Sequence, residues 1–238
     1  MGTVLAALAE LALIAFIVYK ALQLRKGYRE RAATGMDLYD SLRESAGSVV
    51  GTVAGGALAY EATLLYYATA GWSRSPEIGD GAFSVHRNVA YIPLMLAVMI
   101  ALVVETIAVH LLLRLWSPVA AWVLTAISLY TLVWLIGDIH AVRLRPTRIR
   151  DGILHFRLGL RWDAKISIAS IQSVGTPEND DRPGGREHLK AILVGAPNLR
   201  IQLREPIRAV GFYGLLRRVR TIDLHVDDPD GFVAGLQA

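Results

Sequence analysis

Residues 118–159 read "PVAAWVLTAISLYTLVWLIGDIHAVRLRPTRIRDGILHFRLG", and the fold turns on a change of pattern inside them. From Pro118 to Val142 the run is apolar almost throughout. A helix rises ~1.5 Å per residue against a hydrocarbon core ~30 Å thick, so roughly 20 such residues suffice to cross a bilayer. From Arg143 the period shortens. "VRLRPTRI" and "GILHFRLG" alternate apolar and polar residues, with Asp151-Gly152 as a turn between them. The chain therefore divides into a membrane-helical part, 1–142, and a strand-rich part, 143–238.

Working upstream from this stretch, three more runs are long enough to span: Thr3 to Leu22, Ser48 to Trp72 and Val89 to Leu115. The first lacks a basic leader and is too long for a signal-peptide core, so it reads as a retained anchor. "RLWSP", between the last two runs, is short enough to force an antiparallel pair. Trp72, Trp116 and Tyr91 lie near run ends, where amphipathic rings favour the headgroup level. Gly47, Gly51 and Gly55 recur at fours, a small-residue ridge that lets helices pack closely. The expectation is a four-helix transmembrane bundle in the cell membrane. Two basic segments bear on its sidedness: Arg25, Lys26, Arg29 and Arg31 after the first run, and Arg143, Arg145, Arg148 and Arg150 after the fourth. Each predicts a cytoplasmic location, yet three crossings would put them on opposite sides. The arginine-rich tail favours a cytoplasmic domain, and the first loop favours the reverse. The second group, at the membrane boundary, is also suited to facing lipid headgroups.

Bulk composition agrees with this division. Of 238 residues, 53% are hydrophobic and only 19% charged, below the usual quarter for soluble domains. The absence of cysteine removes disulfides, thiolate metal sites and cysteine nucleophiles. The net charge of +4 is modest. "LLRRVR" (215–220) has no aromatic interleaving, so nucleic acid is not an expected partner. There is no P-loop, dinucleotide glycine fingerprint or nucleophile elbow. Glu178, Asp180 and Asp181 lack calcium-loop spacing.

Ionisable groups at bilayer depth are costly unless paired or hydrated. The runs hold Glu10, Glu61, Glu105, His110, Asp138 and His140, with His86 just before the third. At ~1.5 Å per residue, Glu61 lies ~16 Å and Glu105 ~15 Å from a helix end, so both are near the midplane, at a depth shared with Tyr130. His86, Asp138 and His140 gather near one membrane face. Glu105 and His110 point ~140° apart on an ideal helix, and Asp138 and His140 ~200°, so neither pair makes two ligands of one ion. A shared site needs one residue per helix. Glu61, Glu105 and Asp138 with Tyr130 form the candidate polar site. With His86 or His140, the carboxylates could hold a divalent zinc, iron or manganese ion, or relay protons. The alternative is that these carboxyls are neutral or bonded to hydroxyls.

Downstream, "AKISI", "LKAILV", "LRIQLR" and "IDLHV" continue as short strands, and "DDPDGFVAGL" ends in a short capped helix. Many strands with one terminal helix suggest a small barrel or sandwich. Arg157, Arg161, Lys165, Arg200, Arg204 and Arg208 could form a basic face toward anionic lipid, or simply the solvent side of strands. The succession "LRPTRIRDGILHFRLGLRWDAKISIASIQSV" and "IDLHVDDPDGFVAGL" resembles the bacterial pleckstrin-homology-like domains attached to small multi-pass membrane proteins. That resemblance implies a small all-β barrel closed by a helix; it implies a fold and not an activity, and no catalytic residue is carried across by it. Two expectations result. One is a membrane-anchored scaffold or regulator that recruits a protein partner or self-associates. The other is an intramembrane carboxylate and histidine site serving a metal-dependent enzyme or proton coupling.

Overall fold

The structure, a computed structural model, describes residues 38–76, 79, 81–177 and 185–237. The first apolar run with Glu10, the basic loop after it and the acidic loop residues 178–184 lie outside the described residues. Two compact units are present: one contains the described residues up to Thr63 with Tyr213–Leu215, the other Leu64–Phe212 with the residues from Leu216 onward.

In the first unit, α1 (Leu38–Val50) is followed across the single residue Gly51 by α2 (Thr52–Ala70), whose residues from Leu64 belong to the second unit. Its φ of +91° is a conformation that side chains with a Cβ rarely adopt. The run from Ser48 to Trp72 is therefore not one helix, which corrects the expected span. Glycine placement explains the break. A Cβ on Gly55 would lie 2.4 Å from the Gly47 nitrogen, so the close approach occurs at the chain's own elbow.

In the second unit, α3 (Tyr91–Trp116) and α4 (Pro118–Leu144) are joined through Ser117 alone. Ser117 closes α3 by donating its N–H to Leu113 O (2.7 Å) and caps α4 by accepting from the Ala120 N–H (3.3 Å), with Pro118 at the first helical position. The pair is antiparallel. His110 Nδ1 meets Thr125 Oγ1 at 2.7 Å near the turn, and Tyr91 meets Asp138 at the far end. Both helices are long and apolar enough to cross a membrane. Leu96, Ile100, Val104 and Ile107 on α3, with Val119 and Ile127 on α4, are exposed. Among the described residues these are the two such helices, and a four-helix transmembrane bundle is not shown.

The sheet follows within two residues of α4. Its strands are β1 (Ala82–Phe83), β2 (Thr147–Arg150), β3 (Ile153–Leu158), β4 (Trp162–Ser167), β5 (Ile171–Gly175), β6 (His188–Ala191), β7 (Leu199–Val210) and β8 (Leu216–Leu224). The order is β1-β2-β3-β4-β7-β8-β6, with β5 also on β7 and β6 parallel to β8. Asp151 (φ 52°) and Gly152 (φ 72°) make the β2–β3 turn that the sequence announced. Pro206 falls inside the register shift of β7 between Gln202 and Ile207, where a missing N–H costs no ladder bond. That break lets β7 pair with β5 along its first half and with β4 at Val210.

The sheet is open and mixed, not the closed barrel expected. In place of strand closure, α5 (Pro229–Gln237) sets Phe232 into the core, edge-on to Phe83 at 5.1 Å. This core is continuous from the sheet into the helix hairpin. Leu154, Phe156, Ile166, Ile201 and Ile222 share it with Tyr91, Ile139 and Val142 of the long helices. The division expected at residue 142 is thus crossed by one apolar cluster.

Candidate functional site

The polar chemistry of the second unit concentrates where the helix hairpin meets the sheet. From Gly137 to Val142 every residue of α4 is buried. Asp138 is fully buried, and its carboxylate accepts from Arg161 Nη2 at 2.6 Å and Nε at 3.3 Å. The Tyr91 hydroxyl donates to the same carboxylate and stands 3.3 Å from Arg161 Nη2. The guanidinium carbon also lies 5.4 Å from the Tyr91 ring centroid, a cation–π distance. Three segments therefore converge: the start of α3, the end of α4 and the β3–β4 turn.

Backbone geometry brings that turn into reach. Gly159 has φ +57°, and a Cβ there would lie 2.8 Å from Val142 Cγ2, so only glycine lets the turn lie against α4. Next to it, Arg145 is almost wholly buried, bonded through Nη2 to Asp163 (2.9 Å) and through Nη1 to Gly159 O (2.6 Å). Arg157 Nε approaches the same carboxylate at 3.4 Å.

A second tie fixes the segment that enters α3. Asp227, just past β8, accepts from the backbone N–H groups of His86 (3.2 Å), Arg87 (3.0 Å) and Asn88 (2.8 Å). Burial alone would raise its pKa. Hydrogen bonds from Ser84 and from the Asn88 and Arg87 amides outweigh this and hold the carboxyl below its usual value. Burial lowers the pKa of His86, with Asp227 opposing and Arg87 and Arg143 reinforcing. On the far side of the sheet, Asp223 takes Arg200 Nε (2.6 Å) and His188 Nε2 (2.9 Å). Burial opposes ionisation there as well, and the Arg200 and His188 bonds reverse it, so the pKa is lowered.

The residues singled out from the sequence distribute as follows. Asp138 is the buried acceptor just described. Glu105 and Tyr130 are exposed on α3 and α4, and Glu61 is half-buried on α2. His86 is half-buried ahead of α3. His140 is buried with its ring 4.7 Å from that of Trp72, and neither ring nitrogen has a hydrogen-bond partner among the described residues. Among the described residues no group of three or more His, Asp or Glu side chains is placed to hold a metal ion. The reason is that Asp138 turns to the sheet and Glu105 to the exterior.

The basic groups also divide. Arg145 is buried under Asp163 and does not face lipid, which corrects the reading of Arg143, Arg145, Arg148 and Arg150 as one row. Arg143 and Arg148 are half-buried, and exposed Arg150 stands 3.3 Å from Asp151. Of the wider basic face, Arg157, Arg161 and Arg200 are taken up by Asp163, Asp138 and Asp223.

Fold and site together define a class: an open mixed-sheet domain locked end-on to a hairpin of two long apolar helices by buried ion pairs. Compared with protein-family models, curated proteins and solved structures, the chain matches none.

Proposed function

We propose that the protein is a multi-pass protein of the cell membrane whose helices hold the sheet domain at the bilayer surface, where it serves as a scaffold or regulator. The resemblance of the tail to bacterial pleckstrin-homology-like domains supports a recruiting role, with α5 taking the place of barrel closure. The observation that carries the reading is the junction. Asp138, Tyr91 and Arg161 join the exposed apolar hairpin to the sheet through buried charge, and one core runs across the boundary. A domain fixed this firmly presents its surface at a set height and angle, as a docking platform needs.

The absence of native cysteine makes the topology directly testable. Single cysteines at Ser117 and at Asp151 are expected to react with a membrane-impermeant maleimide from opposite sides of sealed vesicles. Labelling of both from one side overturns the spanning hairpin. Photocrosslinkers placed at exposed Lys190 and Gln172 in cells are expected to give discrete adducts with a partner or a second copy. No adduct from either position overturns the recruiting role.

A further inference from the structure

Residues 204–220 carry five arginines against one glutamate, and the β7–β8 ladder sets two of them face to face. Arg208 is the direct cross-strand partner of Arg218, and both are exposed. Like charges opposite each other in an antiparallel pair repel. Among the described residues little relieves them. Arg218 Nε stands 3.7 Å from Glu187 Oε1 with both side chains open to solvent, and among the described residues Arg208 has no carboxylate partner. Glu205, the one acid of the stretch, lies within the register shift, off the paired ladder. Arg220 follows Arg218 on the same face of β8 and bonds to the carbonyls of Leu203 and Arg204.

Register gives this pair its position. Val210 pairs with Leu216 across the hairpin and with Asp163 of β4, two residues beyond the Arg161 that grips Asp138. The Arg208–Arg218 rung is two residues further along the ladder, about 7 Å at strand spacing. Leu216 is 57% exposed. On α4 the exposed apolar side chains end near Val133, and Asp138 lies ~8 Å beyond at helical rise. The headgroup layer on each side of the hydrocarbon is ~5–8 Å deep. Exposed, apolar Leu216 thus shares a rung with Val210 beside Asp163, and the facing arginines stand two residues beyond it.

We infer that Arg208 and Arg218 form a clamp for the phosphate of anionic lipid headgroups, in the same bilayer that α3 and α4 span. Arginine forks match phosphate oxygens in geometry and charge, and an anion between them removes the repulsion. The inference rests on the membrane reading proposed above and names the ligand chemistry of the domain's surface.

The full chain, reconstituted in vesicles of phosphatidylcholine with or without phosphatidylglycerol, tests it through lipid retained in native mass spectrometry. Phosphatidylglycerol is expected to be retained preferentially. R208Q and R218Q are each expected to weaken that preference about fivefold, or about 1 kcal/mol at ~1.4 kcal/mol per decade. R208K/R218K keeps most of it, and K190Q, an exposed change on β6, leaves it unaltered. Equal retention of both lipids, or an undiminished preference in R208Q/R218Q, overturns the clamp and leaves the membrane reading intact. Failure of the parent chain to enter vesicles overturns the membrane reading, and the clamp falls with it.

Discussion

Arg161→Ala is the sharpest test of the junction. Asp138 is fully buried, and Arg161, itself only 20% exposed at its side chain, provides both of the carboxylate's charge-assisted contacts. Truncation leaves a buried carboxylate with the Tyr91 hydroxyl alone. Removing one partner of a buried pair costs about 3–5 kcal/mol, because the remaining charge is uncompensated. At roughly 2–4 °C per kcal/mol for a chain of this size, the melting temperature falls by about 6–20 °C. Asp138→Asn is milder, since the amide still accepts from Tyr91 and Arg161 retains a path to solvent. D138N/R161Q removes both charges and is expected to be more stable than the sum of its single changes, by about 0.5–3 kcal/mol of coupling. Unfolding of the parent, R161A, D138N, R161Q and D138N/R161Q in one detergent, followed by near-ultraviolet dichroism, reads these values. An R161A loss below about 1 kcal/mol, or strict additivity in the double variant, refutes the buried lock.

Three further outcomes are expected. Gly159→Ala meets both a positive φ and Val142, for a loss of about 2–4 kcal/mol, whereas Gly152→Ala meets open space and pays only the φ strain of about 1–2 kcal/mol; equal losses in thermal unfolding would show that turn contact with α4 is unimportant. Asp227 has a lowered folded pKa, so its contribution is complete above the unfolded carboxylate value near ~3.9 and is lost as pH falls through the lower folded value. Hydrogen exchange at the His86, Arg87 and Asn88 amides is therefore expected to rise in acid for the parent, and Asp227→Asn to show weak protection with little acid dependence. Gly55→Ala drives a methyl into the backbone of Ala46 and Gly47, which cannot yield as a flexible side chain would, and is expected to open the α1–α2 elbow at a cost of about 1–3 kcal/mol; an unchanged helix content and melting temperature would count against the close approach.

Much of the fold was legible because two periodicities are written plainly in the chain. The apolar runs around "RLWSP" gave the hairpin of α3 and α4, and Asp151-Gly152 gave the β2–β3 turn with its two positive φ angles. The elbow at Gly51 was misread because glycines at fours describe a packing ridge equally well as a turn, and only φ tells them apart. β5 was missed since "IQSV" is short and its one partner, β7, lies far along the chain. Closure was overcalled for a related reason. Alternation fixes which faces are buried, but whether edge strands meet depends on non-local pairing, and here a helix residue, Phe232, fills the gap.

The site shows the same limit more sharply. Asp138 was visible as a carboxylate that an apolar run should not contain, and its partner was sought on other membrane helices. The pairing with Tyr91 could have been approached by counting, because both residues lie toward the open end of the antiparallel hairpin, Tyr91 26 residues before the turn at Ser117 and Asp138 21 after it. Arg161 could not. It lies in a strand-to-strand turn whose approach to α4 depends on Gly159 having φ +57° and no Cβ against Val142. Ionisable residues near a helix end therefore have two possible kinds of partner, across the bundle or in the domain that follows. Depth within the run separates them: Glu105, at the centre of α3, has no part in the junction and is exposed, while Asp138, within two turns of the helix end, is reached from the sheet. Arg145 obeys the same rule about two turns later, turning to Asp163 because the domain begins immediately after it.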